Sequence, residues 1–220
     1  MSSLPAAFAA LAIFQSATMT EAGREIAAEE ARRLAECREL TETDPEQAYE
    51  MGLAWLGNGN RPAARQCTAL ALISLEHYEE GALRLEELAN APDAGTVETR
   101  ALYLSQAGNA WLAAGLPDAA ITTLDNALRL RPGDAGLMID LASARLALGQ
   151  WREAASQLND AIALAPGDPD ALGLRARAYK EMGRFDAALA DVNAARIAAP
   201  DNIELLVLRG EIREARRLSR

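Results

Sequence analysis

A skeleton of small and turn-forming residues recurs every 34 positions in the second half of this chain and leaves few folds open to it. Gly115, Gly149 and Gly183 keep that spacing, as do Pro132, Pro166 and Pro200. Between them Ala120, Ala154 and Ala188 stay in phase, as do Ala127, Ala161 and Ala195. Asp134, Asp168 and Asn202 each follow a proline by two residues. Self-similarity of this period, with glycine ending one segment and proline the next, is the mark of stacked helix-turn-helix units in which each unit buries its apolar face against its neighbours.

The skeleton gives three repeats, 101–134, 135–168 and 169–202. In each, a first helix ends at glycine, which takes the left-handed conformation without a steric penalty, and a second helix ends just before proline. Asp134, Asp168 and Asn202 then cap the next first helix, with Pro169 in the first turn of one of them. The alanines at 120, 154 and 188 let the two helices of a unit cross closely. Ile203 to about Leu218 supplies a last helix whose arginines and glutamates solvate the end of the stack.

Upstream the pattern is weaker. Asp44-Pro45-Glu46-Gln47 is a helix start of the capping-box type, followed by a helix to about Leu56 that Gly57-Asn58-Gly59-Asn60 ends. Pro62 opens a helix through about Leu75, and Tyr78 to Leu88 reads as its antiparallel partner with Gly81 at the crossing. Ala91-Pro92-Asp93-Ala94-Gly95 is the clearest break. The expected organisation is therefore 1–19 as an N-terminal signal or extension, 20–92 as N-terminal helices with degenerate repeats, and 97–220 as the three repeats and a capping helix. Within the first part, Leu4 to Phe14 is apolar but too short for a transmembrane helix. A secretory signal, a short helix or anchor, and an extension ahead of a start at Met19 all remain open for it.

The formal net charge of −10 excludes a general nucleic-acid binder, since neutralising phosphates requires a basic surface. The one basic stretch is Arg209 to Arg220, with five arginines against Glu211 and Glu214. It and the N-terminus are the only places where membrane contact is expected. Residues 21–50 are the counterpart, with ten acids against four arginines. Both read first as solvated helix faces.

No catalytic group is expected. His77 is the sole histidine and has neither a nucleophile nor a second metal ligand in sequence reach, so no metal, cofactor or small-molecule substrate is expected. Trp55, Trp111, Trp151 and Tyr179 read as packing residues, and Glu29-Glu30 and Glu86-Glu87 as exposed neighbours. Cys37 and Cys67, the only cysteines, are two buried thiols in a reducing compartment, or a staple between the N-terminal helix and the third one in an oxidising compartment.

These residues resemble the tetratricopeptide-repeat (TPR) family. Trp111 and Tyr179 match the aromatic position of its first helix, Gly108 the small position before it, and Trp151 and Phe185 the aromatic after the helix-ending glycine. Pro117, where an aromatic is usual, and Arg145, at the position of Trp111 and Tyr179, are departures. The resemblance implies an all-α, right-handed α-solenoid whose concave groove, lined by first helices, binds a peptide or helix of another protein. Carried onto this chain, the groove positions are Ser105, Asn109 and Leu112, then Ile139, Ser143 and Leu146, then Gly173, Arg177 and Lys180. One subgroup clamps a C-terminal carboxylate with Lys, Asn and Arg residues. Only Asn109 matches that set here, while Asp140 and Leu174 stand where its donors belong. Arg177 and Lys180 near an apolar floor instead imply a partly acidic amphipathic ligand. The setting of Cys37 and Cys67 also looks like that of secreted bacterial repeat proteins that carry both cysteines, which implies a disulfide and a periplasmic location, with a cytoplasmic one as the alternative. The functional expectation is a non-enzymatic interaction scaffold, with an envelope assembly factor or chaperone presenting a client as the alternative.

Overall fold

The computed structural model describes residues 6–219, with side chains from Glu21 onward; Leu4 and Pro5 of the apolar run and Arg220 of the basic stretch lie outside it. All regular structure among the described residues is helical. The chain divides into two compact units, 1–75 and 76–220.

The first unit holds α1 (Ala6–Thr43), α2 (Pro45–Gly57) and α3 (Pro62–Ser74). The apolar run and the charged segment after it are not separate helices, because the helix runs without a break from Ala6 to Thr43. No described helix is long and apolar enough to cross a membrane. Asp44 starts α2, its carboxylate accepting the Gln47 amide at 3.1 Å. Cys37 of α1 and Cys67 of α3 are joined, Sγ to Sγ at 1.99 Å, and both are fully buried with Ala48, Trp55, Ala64 and Ala71. Gly52 sets how near α2 comes to α3. A Cβ there would lie 2.8 Å from Thr68 Oγ1 and 3.2 Å from the Thr68 Cα and backbone nitrogen, so the neighbour is partly main chain that cannot swing away.

The second unit holds α4 (Tyr78–Asn90), α5 (Val97–Ala113), α6 (Pro117–Leu130), α7 (Ala135–Ala147), α8 (Trp151–Leu164), α9 (Pro169–Glu181), α10 (Phe185–Ala198) and α11 (Ile203–Leu218). Each packs on the next, and α5, α7, α9 and α11 also touch in succession, forming one row of first helices. The turns follow the sequence skeleton: Gly115, Gly149 and Gly183 have φ of 75°, 71° and 72°. Asp134, Asp168 and Asn202 accept backbone amides of α7, α9 and α11. The second-helix residues Ala120, Leu124 and Ala127, and their counterparts one and two repeats on, are fully buried. Gly108 admits Leu124 so closely that a Cβ would stand 2.5 Å from Leu124 Cγ.

Three features depart from the expected layout. The division falls between Leu75 and Glu76, so α4 belongs with the repeats, where Glu86 accepts a hydrogen bond from Trp111 Nε1 at 2.9 Å and another from Thr123 Oγ1. Glu86 is thus a helix-bridging acceptor and not one of an exposed acid pair. Glu76, just before α4, has φ of 65°, doing with a side chain what glycine does in the later turns. Finally, α5 starts four residues before Ala101 and has 17 residues where α7 and α9 have 13. The added turn carries Arg100, which donates to the carbonyls of Ala89 and Ala91 at the end of α4.

Arg145 makes polar contacts in place of aromatic packing. Lacking an aromatic face, it donates to Gln157 of α8 and stands 4.0 Å from Asp125 of α6. Pro117 occupies the first turn of α6, where no amide hydrogen is needed.

Candidate functional site

The row of first helices carries a cleft of about 270 Å³ between α7, α9 and α11. Ile139 and Ser143 line it from α7, Gly173, Leu174 and Arg177 from α9, and Leu205 and Leu208 from α11, with Pro169, Asp170, Asn202 and Glu204 at the helix starts. Each helix presents these residues because their spacing of three or four places them on one face. Gly173 lets α11 approach: a Cβ would meet Leu205 Cδ2 at 3.0 Å. A second concavity of about 400 Å³ shares Arg177, Glu204 and Leu208 with the first and adds Ile203, Val207 and Glu211. Ile203 is 72% exposed and Val207 55%, so an apolar strip continues out of the cleft along α11.

Arg177 is exposed at the junction of the two concavities and makes no ion pair among the described residues. Lys180, expected to serve with it, is occupied. Its Nζ lies 2.7 Å from Glu211 and 3.2 Å from Glu181. Burial alone lowers its pKa, and the two carboxylates more than reverse this, holding the ammonium above its usual range.

The α5 end of the row is differently built. Ser105 donates to Asp140 Oδ2 at 2.8 Å, and Asn109 hydrogen-bonds the same carboxylate, tying α5 to α7. Burial pushes the Asp140 pKa up, against the pull of those two hydrogen bonds. Of the expected groove positions, the structure brings Ile139, Ser143, Gly173 and Arg177 to the cleft. Ser105 and Asn109 meet at Asp140, and Leu112 is half-buried on α5 away from the cleft. Leu146 is a correction. It is only 7% exposed and packs with Ala142, Ala154 and Leu158, because the α7–α8 crossing claims that face of the helix. Leu174, which the resemblance placed where a clamp donor belongs, lines the cleft, whereas Leu205 and Leu208 were not anticipated. The repeat itself pointed to both, since Leu205 and Leu208 lie 34 residues after Ala171 and Leu174.

Trp55, Trp111, Trp151 and Tyr179 all pack in or against the helical cores. Trp55 and Trp111 are buried, Arg33 stacks 4.6 Å from the centre of Trp55, and Tyr179 lies under both Arg175 and Arg184. No group of three or more His, Cys, Asp or Glu among the described residues is placed to hold a metal ion, and His77 is exposed ahead of α4.

The tetratricopeptide-repeat profile matches residues 112–163 and 146–212, the register of glycines, alanines and prolines described above. The chain is a tetratricopeptide-repeat protein. Solved TPR structures share its fold. TTC0263 of Thermus thermophilus, a thermophilic TPR protein, aligns over 83% of this chain and 98% of its own at 23% identity and a TM-score of 0.64. YrrB, described as a TPR protein with an unusual peptide-binding site, aligns over 87% and 97% at 19% identity and a TM-score of 0.61. The first TPR of Spaghetti (RPAP3), bound to the HSP90 peptide SRMEEVD, aligns over 52% and 91% at 27% identity and a TM-score of 0.50. No curated protein matches the chain. In this TPR protein the repeating framework is supplied by α5 to α10, and the cleft draws Leu205 and Leu208 of its lining from α11, beyond the third full repeat.

Proposed function

We propose that this TPR protein is a non-enzymatic scaffold that holds a short segment of another protein against the first-helix row of its second unit, seated between α7, α9 and α11. The observation that carries the reading is a cleft in which Ile139 and Leu174, floored by the largely buried Leu205 and Leu208, lie beside an exposed Arg177 that no described acid pairs. Apolar side chains of the ligand fill the cleft and one carboxylate meets Arg177. Lys180 is not free to take a second carboxylate, so the ligand needs fewer acids than the sequence implied. The peptide complex of the RPAP3 domain supports the general mode. Its ligand is not carried over, because Asp140 and Leu174 stand where a carboxylate clamp needs donors.

Partner capture under native conditions tests this. Leu174→Arg and Arg177→Glu should each abolish it, while Arg152→Ala on the exposed face of α8 leaves it intact. Capture that survives both cleft substitutions contradicts the proposal.

A second reading, an assembly factor or chaperone of the bacterial envelope, is favoured by the Cys37–Cys67 bond, which persists in an oxidising compartment such as the periplasm. An Ellman assay on denatured, unreduced protein from its native compartment should find no free thiol. Two free thiols per chain would remove this reading and leave the cytoplasm.

A further inference from the structure

The outer face of α11 is left uncovered by the described residues. Each earlier first helix is crossed by the second helix of its own repeat. Over α9, Leu172 and Ala176 are buried against Ala188, Val192 and Ala195 of α10. Arg175 closes that crossing by donating to both oxygens of Asp191, at 2.7 and 2.8 Å. One repeat later, the same three positions are Leu206, Arg209 and Gly210. Leu206 is 44% exposed, and a Cβ on Gly210 would meet nothing within 4 Å. In the first repeat the position equivalent to Gly210 is Gly108, packed tight under Leu124. Arg209 has no acid: its Nε is buried without a hydrogen-bond partner, as is that of Arg196 on α10.

We propose that this face docks an amphipathic helix of a partner protein, one that lays an aliphatic side chain over Gly210 and presents a carboxylate to Arg209. The chemistry is that of α10 on α9, transposed by one repeat. Arg213 stands one helical turn from Arg209, and its charge, then burial, then the charge of Arg196, push the Arg209 guanidinium below its usual pKa. Three cations facing one another without an acid among them are stabilised by a partner's carboxylates and repel a basic one. Arg216 and Arg217 of the basic stretch are already paired, with Asp186 at 2.8 Å and Glu214 at 2.6 Å. This surface is distinct from the cleft and does not rest on its function.

The α10 segment itself is the probe. A labelled peptide of residues 182–200 is titrated into the full chain at low ionic strength, with binding read by anisotropy and by slowed amide exchange in α11, the second readout registering weak occupancy. Saturable binding is expected. It should weaken about tenfold or more with Arg209→Ala in the protein or Asp191→Asn in the peptide, and vanish with Gly210→Leu, while Arg152→Ala leaves it unchanged. Three results overturn the proposal: no protection of α11 at saturating peptide, binding indifferent to Arg209→Ala and Asp191→Asn, or binding lost with Leu174→Arg instead, which places the peptide in the cleft. Concentration-dependent self-association that Gly210→Leu abolishes would make a second copy the occupant and overturn it equally.

Discussion

At the scale of single residues, the glycines separate by what stands over them. Gly108 is pressed by Leu124, so Gly108→Ala should destabilise the second unit by about 1–3 kcal/mol through overpacking, despite the better helix propensity of alanine. Gly210 sits in the same repeat position with open space above it, so Gly210→Ala should stabilise by about 0.5–1 kcal/mol. Chemical denaturation of the two variants checks both signs. Asp140 gives a pH-dependent counterpart. Its pKa is raised on folding, so the native state holds a proton that the unfolded state releases as pH rises above the ordinary carboxylate range; stability is lost through that window. Asp140→Asn should therefore raise the melting temperature at neutral pH, and the gain should shrink on acidification. A gain that is constant with pH would deny the linkage. The Arg175–Asp191 pair works in the opposite sense. Both side chains are largely buried, and Arg175→Ala would strand a carboxylate at a cost of about 3–5 kcal/mol.

At the scale of helices, what could be read from sequence was what is decided locally. Gly149 and Gly183 end helices, and Asp134 and Asp168 begin them, through bonds to residues within one turn, so the boundaries of α7 to α10 follow from their own sequences. Features that depend on distant partners were not legible. Lys180 lies 31 residues from the Glu211 that occupies it, and Ser105 lies 35 from Asp140. The extra turn of α5 was hidden because Val97 to Arg100 continues a helical pattern, and its use became visible only with the carbonyls of α4 beside Arg100. Reading α11 as a solvating cap described its arginines but missed that Leu205 and Leu208 repeat the inward face of α9. In the first unit the disulfide fixes α1 to α3 across 30 residues of chain. Reduction should cost that unit about 3–4 kcal/mol in the chain-entropy account. Amide exchange should then quicken in α1 to α3 and stay unchanged in α7 to α10; equal loss in both would contradict this.

At the scale of the whole chain, two units of different construction share one sequence. The first concentrates its buried core around a covalent bond, and the second spreads its core through repeated small-residue crossings. That second construction fixes backbone positions with alanine and glycine, which leaves the first-helix faces free to differ from repeat to repeat. Asp140, Leu174 and Arg177 are such differences, and they leave the row one cation, with Asp170 and Glu204 at the rim, where a carboxylate clamp would need several donors. Occupation of the cleft by a partner is what these differences are proposed to serve. Site-specific photo-crosslinking in the native cell measures this most directly, with the probe at Ser143 in the cleft and a reference probe at the exposed Ser156 on α8. We predict a discrete adduct from position 143, absent at 156 and lost with Leu174→Arg. Equal labelling from both positions, or an adduct at 143 indifferent to Leu174→Arg, would contradict it.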